Sequence, residues 1–167
     1  SGYSYGNFTV NTVTNTAPTF TSGYPQINSS DGTNFTGRDL SIIFVVTDND
    51  INDILRYNLT VYKNNLTSNV NRTNIAYTNG SLVTNAINFN NLTIGDTWKA
   101  QISIADGTTT VYANTSELLI LNRAPSFYTS YPQINSTDGT NLTTRDLRAT
   151  WRANESDAQD ITLRYNI

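Results

Sequence analysis

Residues 97–121 read TWKAQISIADGTTTVYANTSELLIL. Trp98, Ala100, Ile102 and Ile104 alternate there with Lys99, Gln101 and Ser103, the period-two pattern of a strand with one buried face. Asp106-Gly107 follows, a dipeptide that favours the tight turn of a hairpin because both central residues need positive φ. The stretch therefore predicts a strand over Thr97–Ala105, a turn, and a returning strand over Thr109–Leu121. Trp98 reads as core packing. Upstream, Leu55, Tyr57, Leu59 and Val61 alternate with Arg56, Asn58, Thr60 and Tyr62, predicting a second one-faced strand over Ile54–Tyr62. Strands are also expected at Tyr24–Asn28, set off by Pro18 and Pro25, at Arg38–Thr47, at Val70–Tyr77 before the Asn79-Gly80 turn, and at Leu82–Phe89. The run SIIFVV (41–46) predicts burial on both faces of its strand. No segment has a helical period. Seven short strands with turn signals between them predict an all-β, Greek-key sandwich of the immunoglobulin-like kind, with an up-and-down barrel as the competing arrangement.

The same chain repeats itself. Residues 17–40, APTFTSGYPQINSSDGTNFTGRDL, return as residues 124–147, APSFYTSYPQINSTDGTNLTTRDL, at an offset of 107. LRYN at 55–58 returns at 163–166 after a one-residue insertion, and Tyr5, Asn7 and Asn15 align with Tyr112, Asn114 and Asn122. Three pieces follow from this. Residues 1–16 read as the last strand of a preceding unit, or as a donor strand for a neighbour. Residues 17–123 read as one complete unit, and 124–167 as the first part of the next, which implies a longer parent protein. Asn122-Arg123-Ala124-Pro125 reads as a short, stiff junction, so the units are expected to form a semi-rigid rod.

Leu92-Thr93-Ile94-Gly95-Asp96-Thr97-Trp98 and Ile104-Ala105-Asp106-Gly107-Thr108, set behind Ala-Pro, Asp-Gly and Thr-Asp-x-Asp in that order, resemble tandem immunoglobulin-like repeats of archaeal and bacterial surface proteins. The resemblance covers the whole chain. It implies the sandwich fold and an extracellular or cell-surface location. It implies function only loosely, since such repeats serve adhesins, coats, filaments and enzyme spacers alike.

Composition narrows the function classes. The chain has 167 residues, no His, no Cys and no Met, and a formal net charge of -3. Without His or Cys, acid–base and nucleophilic catalysis lack their commonest groups, and no Ser has a visible base. An enzyme is not expected. Lys63 and Lys99 are the only lysines and no basic run exists, which argues against nucleic acid as a partner. No apolar run approaches the length of a membrane span. The missing cysteines exclude a disulfide scaffold but leave secretion open.

The strongest functional signal is the Asn-x-Ser/Thr motif, the acceptor for N-linked glycans. It occurs at Asn7, Asn28, Asn34, Asn58, Asn65, Asn71, Asn79, Asn91, Asn114, Asn135, Asn141 and Asn154. With 24 Asn and 41 Ser or Thr in the chain, random placement gives about six such motifs, half the observed number. Three sites recur at the repeat offset: Asn7 with Asn114, Asn28 with Asn135, and Asn34 with Asn141. Covalent N-linked glycans are the expected modification, and sequon density without Cys hints at an archaeal surface.

Asp48, Asp50, Asn52 and Asp53 form an acidic turn, with Glu155, Asp157 and Asp160 near the equivalent place one repeat on. Hard oxygen ligands at close spacing suit calcium. The competing reading is a solvated Asx-rich turn. The expected role is structural: a unit of a glycosylated extracellular filament or cell coat whose partners are copies of itself or adjacent repeats. The alternatives are an adhesin stalk or carbohydrate- or protein-binding module, with Tyr24, Tyr128 and Tyr131 as candidate contacts, and a spacer beside a catalytic domain.

Overall fold

The computed structural model describes residues 14–155 together with 163 and 164. The described chain is all-β apart from one 3-10 turn at Phe89–Asn91. Its strands are β1 (Thr19–Phe20), β2 (Gln26–Ser29), β3 (Leu40–Phe44), β4 (Val46–Thr47), β5 (Arg56–Lys63), β6 (Leu66–Thr67), β7 (Arg72–Ala76), β8 (Val83–Ile87), β9 (Thr97–Ala105), β10 (Thr110–Asn114), β11 (Leu118–Leu119), β12 (Ser126–Phe127), β13 (Gln133–Ser136), β14 (Leu147–Thr150) and β15 (Ala153–Asn154).

Two sheets enclose one core. In the first, β3 lies between β2 and β8. In the second, β9 and β5 run side by side through eight paired residues, Arg56↔Ala105 to Lys63↔Trp98. Strands β10 and β11 flank β9, and β6 and β7 flank β5. Among the described residues every pairing is antiparallel except an isolated parallel bridge between Phe35 and Leu121. The inward residues follow the alternation of the sequence: Leu40, Ile42 and Phe44 from one sheet meet Tyr57, Leu59, Val61, Trp98, Ala100, Ile102 and Ile104 from the other. Each such side chain removed from water contributes about 1.5–3 kcal/mol, which is what holds the sheets face to face.

Strand β9 matches its expected bounds. The expected strand at Arg38–Thr47 breaks at Val45: β3 pairs with β2 and β8, whereas β4 turns away to pair with β1. Burial along it alternates, with Ser41, Ile43 and Val45 only half-buried, so the expectation of two fully buried faces is corrected. The strand expected over Thr109–Leu121 splits into β10 and β11. Thr115 is the cause, because its Oγ1 takes the Ala100 N–H at 3.0 Å while its own N–H reaches Ala100 O at 2.9 Å. A side-chain oxygen thus replaces a ladder carbonyl, and the strand cannot continue in register. Strand β6 has no counterpart among the expected strands. Asn64 (φ 51) and Asn65 (φ 64) make the two-residue turn into it, the left-handed pair that a tight hairpin requires.

Tyr77 ties β4 to the start of β5. Its N–H donates to Leu55 O at 2.9 Å, on the β5 side. Its hydroxyl crosses to β4, accepting from Val46 N–H at 2.8 Å and lying 2.9 Å from Val46 O and 2.8 Å from Ser81 O. The ring stacks on Phe44.

Local geometry recurs 107 residues on. Strands β13 and β14 pair Gln133↔Thr150 through Ser136↔Leu147, the register of Gln26↔Ile43 through Ser29↔Leu40. The Asp31–Arg38 ion pair in the β2–β3 turn returns as Asp138–Arg145. Asn34 (φ 60) and Asn141 (φ 57) share the left-handed conformation.

Candidate functional site

Two features of the fold carry chemistry: the acceptor asparagines on its surface and a knot of carboxylates at one end.

Among the described residues, Asn28, Asn58, Asn65, Asn71, Asn79, Asn91, Asn114, Asn135, Asn141 and Asn154 are exposed and Asn34 is half-buried; Asn7 lies outside them. Two of these sites sit on strands with an open edge. Asn28 is on β2, at one margin of its sheet, and Asn114 ends β10, at a margin of the other. Open edges offer unpaired backbone groups to other chains.

Several acceptor side chains are also fasteners. Asn58 Nδ2 donates to Ser103 Oγ at 3.1 Å, and its Oδ1 accepts the Asn74 N–H at 2.7 Å. That second bond steadies a bulge in β7, where the register to β5 slips between Tyr57 and Leu59 and Asn74 adopts φ 56. Asn71 Oδ1 takes the Val61 N–H at 2.8 Å while its Nδ2 donates to Ser68 O at 2.9 Å. Asn79 clamps a single residue from both sides: Oδ1 takes the Asp48 N–H at 2.9 Å, and Nδ2 donates to Asp48 O at 2.6 Å. Such a two-point pair uses the amide hydrogen lying beside Oδ1. A glycosylated amide is a trans secondary amide, so the sugar occupies that same position. The clamp and a glycan at Asn79 exclude each other.

The clamped residue belongs to the carboxylate knot. One carboxylate oxygen from each of Asp48, Asp53 and Asp106 lies within 4.8 Å of the others. Asp48 and Asp53 come from the β4–β5 turn and Asp106 from the β9–β10 hairpin. The pairing of Arg56 with Ala105 sets these two loops side by side. Asp106 Oδ1 accepts the N–H groups of Thr108 (2.7 Å) and Thr109 (2.6 Å), and its Oδ2 accepts the Asn15 amide at 3.1 Å. Asp48 Oδ1 accepts the Asp50 N–H at 2.9 Å. Asp48 Oδ2 and Asp53 Oδ2 are buried and accept nothing. No Lys or Arg among the described residues forms an ion pair with the three.

Like charges this close disfavour one another's ionised form. The effect shows at Asp53, whose pKa is pushed up by burial and then by the charges of Asp50, Asp48 and Asp106. At Asp106 burial also acts upward, but the Thr109 N–H, the Asn15 amide and the Thr108 N–H outweigh it and hold the carboxyl below its usual value.

The acidic turn read from the sequence is thus divided. Asp48 and Asp53 face the knot. Asp50 lies outside the three-oxygen group, and its Oδ2 accepts the Thr16 N–H at 2.6 Å. Asn52 is exposed on the same cleft as Asp53 and Asp106. Asp106 was legible in the sequence only as a hairpin residue; its distance along the chain hid it from a reading of spacing. Glu155 stands one repeat on from Asp48, while Asp157 and Asp160 lie outside the described residues. Of the candidate tyrosines, Tyr24 packs against the core, whereas Tyr128 carries the Arg152 guanidinium 4.3 Å over its ring.

No protein-family model, curated protein or solved structure matches this chain. No helix among the described residues is long and apolar enough to cross a membrane.

Proposed function

We propose that this chain is a structural segment of a heavily N-glycosylated extracellular filament or cell coat, built from tandem immunoglobulin-like units. The observation that carries the reading is the surface position of the acceptor asparagines: ten of the eleven described are exposed and the other is half-buried. Asn28 and Asn135 hold the same place on β2 and β13. Sugars at Asn28 and Asn114 cover one open margin of each sheet, where an unprotected edge would recruit further strands. The recurrence of strand register, turn ion pair and left-handed asparagine at the repeat offset supports like units in series. Their function then lies in how units join and what sugar covers them.

The test is glycopeptide mass spectrometry of the native protein combined with electron microscopy. Glycan is expected at Asn28, Asn114 and Asn135, with Asn79 unmodified in folded material. Filaments or a coat should show an axial period of about 35–40 Å, the length of a unit with strands of about ten residues. Unmodified peptides at Asn28, Asn114 and Asn135 would sink the glycan reading, and monodisperse particles without higher assembly would sink the filament reading.

A further inference from the structure

Two oxygens of the carboxylate knot are buried with no donor among the described residues. Asp48 is only 7% exposed, its backbone is fixed on both sides by Asn79, and its Oδ2 has no donor. Asp53 Oδ2 is likewise buried without a donor. Both oxygens belong to residues that converge with Asp106 within 4.8 Å. Arg56 lines the adjoining cleft, but its guanidinium donates to Asn74 O at 3.0 Å. A buried carboxylate oxygen with no donor and two like charges beside it is stabilised by a cation.

We propose that Asp48, Asp53 and Asp106 bind a calcium ion at the end of the unit. The donor set is oxygen only, which selects a hard divalent cation over zinc or copper. Three carboxylates drawn from two separate loops make an irregular, adjustable shell, which suits calcium better than the strict octahedron of magnesium. Exposed Asn52 and water fill out a shell of about six to eight oxygens. This ligand set differs from a metal held by the acidic turn alone. Asp50 instead holds the chain that enters the unit, through the Thr16 N–H, while Asp106 holds Asn15. Cation binding therefore fixes the loops that grip the incoming segment. The site is independent of the glycan reading, so the unglycosylated chain serves for its test.

The experiment is thermal unfolding of the 167-residue chain in chelator, in calcium and in magnesium. At about 5 mM calcium, above the about 10⁻⁴–10⁻³ M dissociation constants of extracellular calcium modules, Tm should rise by about 5–10 °C. Magnesium at the same concentration should give less than half of that rise. Asp106→Asn and Asp53→Asn should each lose the calcium rise. In chelator Asp53→Asn should melt no lower than the parent, because it removes a repelling charge, whereas Asp106→Asn should melt lower, because its carboxylate holds the Thr108, Thr109 and Asn15 donors. Asp31→Asn, in the β2–β3 turn, should keep the full rise. Hydrogen exchange at the Thr16, Thr108 and Thr109 amides should slow with calcium in the parent and not in Asp106→Asn. The proposal is overturned by a Tm equal in chelator and calcium, by an undiminished rise in both Asp106→Asn and Asp53→Asn, or by an equal response to magnesium.

Discussion

Replacing Tyr77 with Phe removes one oxygen atom and leaves the ring. In the parent that oxygen accepts the N–H of Val46, a fully buried residue, at 2.8 Å. It also gives its single proton to Val46 O or Ser81 O, at 2.9 and 2.8 Å. Val46 O keeps a second donor in the Gly80 N–H at 2.9 Å, so loss of the proton is tolerated there. The Val46 N–H has no such reserve. A buried donor left unsatisfied costs about 1–3 kcal/mol. The ring keeps its stacking on Phe44 at 6.1 Å between centroids, so no cavity adds to the cost. A loss of about 2 kcal/mol follows, and for a unit of this size Tm should fall by about 8–16 °C. Urea unfolding should show a lower midpoint with an unchanged slope, the mark of altered stability rather than altered compactness. Tyr112→Phe, at a hydroxyl on a residue that is 66% exposed, should stay within about 0.5 kcal/mol of the parent. A Tyr77→Phe change as small as that would refute the claim that this hydroxyl holds β4 in place.

Leu59 is 1% exposed at the centre of the core; Leu59→Ala should cost about 2–5 kcal/mol, read from the same urea curves. Acid should weaken the β2–β3 turn. The Thr33 hydroxyl and N–H, with Ser29 and Arg38, hold the Asp31 carboxyl down from 3.8 to about 2 against the opposing effect of burial. A folded pKa below the unfolded one means that the stabilisation is complete above the unfolded value and is lost as pH falls toward the folded one. Chemical-shift titration of the Thr33 amide should accordingly show its transition near pH 2, and a midpoint at the ordinary 3.8 would contradict the hydrogen-bonding described.

Much of the fold could be read from local pattern because the decisive strands are one-sided. In β9 the inward set is Trp98, Ala100, Ile102 and Ile104, and Asp106-Gly107 ends it; a periodic run closed by a turn leaves little freedom. What escaped reading depended on partners far along the chain. Val45 breaks its strand because β1 captures β4, and Thr115 breaks another because its hydroxyl displaces a ladder carbonyl. Strand β6 did carry a local signal, Asn64-Asn65, since asparagine tolerates the left-handed region better than other side chains. For the carboxylate knot the turn at 48–53 was visible, and Asp106 was visible as a turn former. Their meeting was not, because it follows from the β5–β9 register. Exposure of the acceptor asparagines followed from strand alternation at Asn58; the clamps made by Asn71 and Asn79 did not, since a sequon motif says nothing of what an amide already holds.

The grip of Asn79 on Asp48 bears on the order of events in biogenesis. An acceptor engaged at both ends of its amide is closed to a transferase once the chain has folded, while in the nascent chain it is as open as any other. Sugar at Asn79 would then mark molecules modified before folding, and those molecules should be less heat-stable than their unmodified siblings. Occupancy at this one asparagine, compared between soluble and aggregated fractions of the native protein, dates glycosylation relative to folding. Equal heat stability of the two forms would show that Asn79 keeps no such record.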